Sequence, residues 1–356
     1  MNIAKATARY EKWLSRHLRL IKTDLVLKHE QMRGDPFPFL RATYYRWAQL
    51  WAAICEEAAK APRVLAVGDL HVENFGTWRD IEGRLIWGIN DFDETWRLPY
   101  TNDLIRLATS ALLAQMGCEP REGIESILAG YKAGVEANGK PFALAEHHHA
   151  LRQMATARLH EPEKYWEKLH ALPDFKEAVP TGARKALDRL MPERGLEWRV
   201  AHRVAGLGSL GRQRYVAVAD WRGGSIAREA KALAPSASVW AENGKNGAAP
   251  ILYQEMLDVA VRCRDPFVRF QKRWIVRRLA PDCSRIELSA LPAERDEVRL
   301  LHAMGWETAN VHLGTGKAKT LAADLAKRPR GWLYRAAKAM EKAVLADFEE
   351  YKKAGT

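Results

Sequence analysis

A chain of 356 residues, 47% hydrophobic and 28% charged, is long enough for one or two compact units and too apolar for a disordered polymer. Its 56 basic and 44 acidic residues give a formal charge of +12, which favours anionic partners without choosing among nucleotides, phosphorylated substrates, nucleic acid and anionic lipid heads. The four cysteines, Cys55, Cys118, Cys263 and Cys283, include no CxxC pair and signal neither a disulfide framework nor a zinc site, and no apolar run reaches the roughly 18 residues of a membrane span, so a reducing cytoplasm is the expected location.

The first stretch, ARYEKWLSRHLRLIK, predicts a basic helix that turns Trp13 and Leu14 to the core. Leu40, Tyr44, Trp47, Trp51 and Ile54 recur at helical spacing and predict a second helix with one buried face. RVLAVGDL and GRLIWGINDFDE read as strands, and if they pair they deliver Asp69 and Asp91 to a common edge. TNDLIRLATSALLAQMG and EPREGIESILAGYKAGVEANG predict helices, the second opening at Pro120 and ending at Asn138-Gly139.

The helical signal continues through FALAEHHHALRQMATARL and weakens around Pro173, Pro180 and Pro192. Then the character changes: EWRVAHRVAGLGSLGRQRYVAVADW is two β-rich runs around a glycine-rich turn, and GSIAREAKAL is a third strand. PILYQEMLDVAVRCR reads as helix, RWIVRRLAP as strand, and the remainder from about Pro292 as helix. Three segments follow: residues 1–195, a helical lobe bearing the acidic motifs; 196–291, a small β-rich lobe with the glycine turn; and 292–356, a helical return to the large lobe.

Asp69 and Asn74 in VLAVGDLHVENFGTW stand at the D-x-x-x-x-N interval of a kinase catalytic loop, and Asp91-Phe92-Asp93 follows where kinases place a magnesium-binding acid. The spacing has a chemical reason. A phosphoryl donor is polyanionic, so a divalent ion must be held by hard oxygen ligands, here Asn74, Asp91 and Asp93, while a separate carboxylate, Asp69, faces the acceptor hydroxyl. The plainer alternative makes Asp69 and Asp91 turn caps at strand ends. His71 is read as an organiser of the loop, Asp103 as a helix cap that also holds it, and Arg41 as a candidate phosphate contact.

The turn GLGSLG offers Gly206, Gly208, Ser209 and Gly211 as a flap whose N–H groups close over phosphates, because a strand and not a helix follows it. Lys231, on the next strand, is the candidate phosphate-pairing lysine, and Glu255, on the next helix, its partner. In kinases these parts precede the catalytic loop; here they follow it, so the order is that of a circular permutation, which spatial chemistry tolerates.

GDLHVEN is similar to the GDLHPGN of aminoglycoside and choline phosphotransferases, and NDFDE followed by NDLIRLA resembles their acidic motif and the helix after it. The whole chain resembles the bacterial domain of unknown function 2252 family, through DPFPFLRATYYRW, VGDLHVENFGTW, LIWGINDFDETWRLPYTNDLIRLATS, VAGLGSLGRQRYVAV, REAKALAPSA and VRRLAP; that family's name implies no settled activity. The motif resemblance implies an α+β, protein-kinase-like fold of two lobes, circularly permuted, using ATP and Mg2+ to phosphorylate a hydroxyl on a small-molecule or protein acceptor. Nucleotidyl transfer and an ATP-binding pseudokinase remain open with the same parts. GDLH also resembles the D-x-H opening of dinuclear metallophosphoesterases, but no G-N-H motif follows, and His147, His148 and His149 run in succession on an expected helix, where they point different ways. A basic nucleic-acid-binding protein is the reading from another class, and no recognisable module supports it.

Overall fold

The computed structural model describes residues 1–144, 148–156, 162–243, 249–283 and 296–354. The expected boundary at 291/292 and His147 lie outside the described residues. The chain opens with helices α1 (Ile3–Leu14), α2 (Lys22–Gly34), α3 (Pro36–Ala42), α4 (Tyr44–Ile54) and α5 (Glu56–Ala59) before strand β1 (Arg63–Ala66). A 3-10 turn over Val72–Asn74 leads into β2 (Phe75–Arg79), β3 (Leu85–Ile89) and β4 (Trp96–Pro99). Helices α6 (Thr101–Leu113) and α7 (Pro120–Glu136) follow, then β5 (Phe142–Ala143), α8 (His149–Thr156), α9 (Pro162–His170) and α10 (Thr181–Leu190). The β-rich stretch holds β6 (Arg199–His202), β7 (Arg214–Trp221), β8 (Gly224–Ala232), α11 (Ala237–Asn243), α12 (Tyr253–Val259), β9 (Arg269–Gln271) and β10 (Trp274–Leu279); α13 (Asp296–His312), α14 (Ala318–Lys327) and α15 (Trp332–Ala354) close the chain. The architecture is mixed α+β with several small sheets, and no helix of the described residues is long and apolar enough to cross a membrane.

Local chemistry accounts for the element ends. Asn2 caps α1 by accepting from Lys5 N, and Trp13 and Leu14 are buried as their spacing predicts. The helix expected across residues 40–54 is broken at Thr43, where ψ opens to 34°. Asp35 caps α3 with Pro36 at its first position, and Glu119 with Pro120 does the same for α7, a proline there losing no helical hydrogen bond. That helix stops at Asn138 and Gly139, both at positive φ.

The β-rich stretch forms one antiparallel five-stranded sheet in the order β6-β7-β8-β10-β9. The register sets Arg214 of β7 opposite Lys231 of β8, and Arg277 of β10 opposite Glu229. Two smaller sheets carry the acidic loops, and here one expectation is corrected: β1 pairs with β4, whereas β3 pairs with β2 and β5. The chain turns back at residues 92–95, so the partner of β1 is the strand after the acidic cluster and not the one before it.

Helix α6 is buried along its length except at Leu112. It therefore carries Asp103 and Arg106 into the interior, where neither charge is tolerable without partners. Helix α13 lies against α7 at backbone contact: a Cβ on Gly130 would stand 1.9 Å from the His302 carbonyl oxygen. That seat aims Glu307 of α13 at β3 and His312 at Asp103 of α6.

Candidate active site

The loop after β1 is held from beneath. The Asp103 carboxylate accepts from Val67 N at 2.6 Å and Gly68 N at 3.0 Å, with His312 Nε2 3.0 Å away. Gly68 has φ +82°, and a Cβ there would meet the Glu94 carbonyl oxygen at 2.4 Å, so the loop needs glycine to approach the second acidic loop so closely. Beyond it, His71 N donates to Asn74 Oδ1 at 2.7 Å, and Glu73 N donates to His71 Nδ1 at 3.2 Å. His71 and Asn74 are thus reciprocal caps of the 3-10 turn. Asn74 Oδ1 keeps one lone pair for a further partner.

Asp69 is not a cap. Its carboxylate pairs with Arg106, whose Nε donates at 2.8 Å and whose Nη2 also reaches it. Arg106 is fully buried, stacked 4.9 Å from the ring centres of both Tyr44 and Trp47, and donates to the Leu40 carbonyl. Burial pushes the Asp69 carboxyl up to about 7; the guanidinium opposes that rise, and the neighbouring Glu94 and Asp91 carboxylates add to it. The result suits proton transfer near neutral pH.

The second acidic loop meets the β-sheet. Lys231 Nζ lies 2.7 Å from Asp93 Oδ2 and 3.5 Å from Asp91 Oδ1. Arg212, just before β7, is 3.4 Å from Asp93 and 2.7 Å from Glu94, whose other oxygen accepts from Ala237 N. Asp91 and Asp93 titrate as a pair: burial works against ionising Asp91, but Lys231, Asp93 and Arg277 hold it well below the ordinary aspartate range, while burial and Asp91 push Asp93 up. Asp93 Oδ1 is buried without a hydrogen-bond partner among the described residues, and the Asp91 side chain is 31% exposed. Two carboxylates, one with an orphaned oxygen, beside an amide oxygen with a spare lone pair fit a magnesium ion, which takes one or two carboxylates and fills its other positions with water and phosphate.

The glycine turn joins this cluster in part. Gly206 is left-handed, and Ser209 N closes the turn on its carbonyl. A Cβ on Gly208 would lie 2.9 Å from the Arg41 carbonyl oxygen and 3.4 Å from Asp69 Oδ2; Lys28 Nζ donates to the Gly208 carbonyl at 3.2 Å, and Arg214 to Ser209 Oγ at 2.8 Å. Gly206, Gly208 and Ser209 line a cavity of about 50 Å³ together with Asp69, Asn74, Asp91 and Asp93. Gly211 does not reach it: it turns toward α2, its carbonyl accepting from Ile21 N, and a Cβ there would strike Leu25 at 2.5 Å.

Glu255 is the second correction. It pairs with Arg97 on β4 at the surface instead of approaching Lys231, because the first turn of α12 faces β4 and the acidic loop already gives the lysine two carboxylates. Arg41, the candidate phosphate contact, pairs with Glu73 at 2.7 Å.

Beside the small cavity, and sharing Asp91 and Gly206 with it, opens a cleft of about 1800 Å³ lined by Arg203, Arg214, Arg277 and Arg262. The first three converge on one buried carboxylate, Glu229, at 2.9, 2.7 and 2.9 Å. Arg106, Lys28, Arg212 and this arginine group were not legible as site residues by motif. A lone arginine in the apolar run LIRLA and charges alternating with alanine in AREAKA are the signals that mark buried pairing.

Fold and site together define a mixed α+β protein in which an acidic cluster borne by two small sheets meets a lysine and a glycine turn from a separate antiparallel sheet. The chain belongs to the family described as "Uncharacterized protein conserved in bacteria (DUF2252)", which it matches over residues 19–123 and 135–354, stretches that include Asp69, Asn74, Asp91, Asp93, the glycine turn and Lys231. No curated protein and no solved structure matches it.

Proposed function

We propose that the protein is a magnesium- and ATP-dependent phosphotransferase acting on a hydroxyl acceptor, a two-lobed, kinase-like arrangement in permuted chain order. The observation that carries the reading is the meeting of Lys231 with Asp91 and Asp93, beside a glycine turn packed on Asp69. These residues come from two distant stretches of sequence, and ordinary packing gives no reason to bury so many charges in one place.

In this reading Asp69 accepts the proton of the acceptor hydroxyl, and Arg106 fixes the orientation of its carboxylate. Asp91, Asp93 and the Asn74 amide oxygen would hold magnesium, which when bound neutralises charge on the phosphate oxygens. Lys231 and the N–H groups of the turn face the same polyanion, and Arg203, Arg214 and Arg277, gathered on Glu229, give its remaining charge a seat. Positioning and electrostatics are nearly all that phosphoryl transfer asks of a protein.

The phosphoesterase alternative draws less support. His71 Nδ1 is taken by the Glu73 amide, and among the described residues no three His, Cys, Asp or Glu side chains gather as a metal site. Calorimetric titration of the full chain with ATP, with and without magnesium, tests the proposal. Binding that requires magnesium is expected; absence of ATP binding, or metal-dependent phosphoester hydrolysis without ATP, would overturn it.

A further inference from the structure

The cleft holds more positive charge than one nucleotide calls for. Among its described lining residues, ten are Arg or Lys and six are Asp or Glu. Most of those cations have a carboxylate: Arg84 has Asp80, Arg264 has Asp258, and Arg203, Arg214 and Arg277 share Glu229. The last three belong to the sheet region that bears Lys231, where the nucleotide's polyphosphate of the proposed reading would match the excess of charge.

Arg262 is different. It follows α12, on a wall built with β2 and the acidic loop, and its guanidinium lies 4.6 Å from the Trp78 ring centre and 5.0 Å from that of Phe92. The Trp78 indole N–H donates to the Cys263 carbonyl at 3.1 Å, which fixes the adjoining backbone. Nε and Nη1 of Arg262 are shut away from solvent with no hydrogen-bond partner, and no ion pair is formed by this side chain among the described residues. Of the acids coupled to it, Glu307 and then Asp265, Glu307 has its oxygens taken by Ile89 N at 3.2 Å and Asn310 Nδ2 at 2.8 Å, and burial pushes its carboxyl up to about 7; Asp265 accepts from Phe267 N at 2.8 Å. A guanidinium held against two rings, with two buried nitrogens unpartnered and no ion pair among the described residues, is a costly arrangement that an anion in the cleft would relieve.

We infer that Arg262 receives an anionic group, a phosphate or carboxylate, carried by the acceptor and distinct from the nucleotide's phosphates. The inference rests on the phosphotransferase reading only in assigning that anion to the acceptor. The fixed positive charge of arginine suits the oxygens of either group, and Phe92 sets this guanidinium next to the residue that would hold the metal, so an acceptor anchored there presents a hydroxyl close to Asp91.

The test uses the full chain, saturated with MgADP and titrated calorimetrically with inorganic phosphate. Phosphate is expected to bind the loaded protein, and Arg262→Gln to weaken it about tenfold or more, the loss of a charge-assisted hydrogen bond, while MgADP affinity stays within about twofold of wild type. Phosphate binding unchanged in Arg262→Gln would overturn the inference, and so would phosphate that MgADP excludes, since the arginine would then serve the nucleotide. If wild type ignores MgADP, the phosphotransferase reading falls on its own. The anion site is then decided by phosphate alone: Arg262-dependent binding keeps it, and Arg262-independent or absent binding removes it. Circular dichroism checks the fold, and Arg262→Met, which fills the space beside the rings without a charge, replaces the glutamine variant if that one unfolds; affinity equal to wild type would again overturn the site.

Discussion

The acid-lined cavity around Asp69 measures about 50 Å³ and the arginine-lined cleft beside it about 1800 Å³, and Asp91 and Gly206 border both. The small one has room for a few waters and no more; its walls are carboxylates whose charges are tied to Arg106, Lys231 and Arg212. The large one has room for a nucleotide and a second molecule, and its walls carry guanidiniums. In the proposed reading such a division would separate chemistry from binding. Proton transfer gains from a tight, desolvated carboxylate, where electrostatic interactions are strong, whereas recognition of polyanions gains from many donors spread over an open surface. Asp91 stands where the two meet, which is where a metal would have to stand to act on a phosphate held by the second and a hydroxyl presented to the first.

The sharpest way to break this division is Asp69→Asn. The substitution preserves size and can still accept from Arg106, so MgATP affinity should stay near wild type while turnover falls on the order of 10²-fold or more, the usual cost of losing a positioned base. Loss of MgATP binding in a folded Asp69→Asn protein would move Asp69 to the binding side. Next in size is Asp91→Asn, which removes a carboxylate from the border. Magnesium-dependent nucleotide affinity should drop at least about tenfold, a scale on which even outer partners of a metal act. Unchanged affinity in calorimetric titration would take Asp91 out of the metal site.

The small cavity was far more legible in the sequence than the large one, for a physical reason. Asp69, Asn74, Asp91 and Asp93 sit in short segments where strands stop and acids cluster, and local spacing exposes them. Lys231 was legible because a strand follows the glycine turn. The cleft is a product of long-range register: Arg214 and Arg277 approach Glu229 only because β7, β8 and β10 pair as they do, and nothing local in any of the three strands says so. The same holds for the failures. Glu255 belonged to an order of elements borrowed from another chain topology, and the surface Arg97 that claims it lies on β4, a strand of four residues with no strong pattern of its own. The pairing of β1 with β4 instead of β3 likewise turns on where a loop doubles back.

The two carboxyls that burial raises to about 7, Asp69 and Glu307, permit a pH test that separates chemistry from stability. The base form of Asp69 exists above its pKa, so turnover should rise roughly tenfold between about pH 6 and about pH 8. Stability should move the other way. The folded state keeps protons on these groups that the unfolded chain has already released, so the stability they contribute is present below their ordinary values near 4 and is lost as pH rises through about 7. Asp93, raised in the same direction, adds to the decline. Rate measurements and denaturant titrations across that window check the pair of trends; turnover that stays flat while stability falls would leave Asp69 without a role as base.

The smallest effect concerns the turn that closes the acid cavity. Gly206 has φ +72°, and a Cβ there would meet Ser209 Oγ at 3.1 Å and Arg214 Nη2 at 3.2 Å, both ends of side chains that can shift. Gly206→Ala should therefore cost about 1 kcal/mol, mainly the penalty of a left-handed conformation. At Gly208 φ is ordinary, but the added Cβ would press 2.9 Å from the backbone oxygen of Arg41, and α3 cannot yield as a side-chain end can, so a cost of about 1–3 kcal/mol from overpacking is expected. The difference lies in what moves. Gly208→Ala lifts the turn from Asp69 and should enlarge the acid cavity, so it should lower turnover as well as the denaturation midpoint, while Gly206→Ala leaves the contact with Asp69 in place and should lower the midpoint with little change in turnover. Equal losses of turnover in the two variants would mean that the turn acts through its overall stability and not through its seat on the carboxylate.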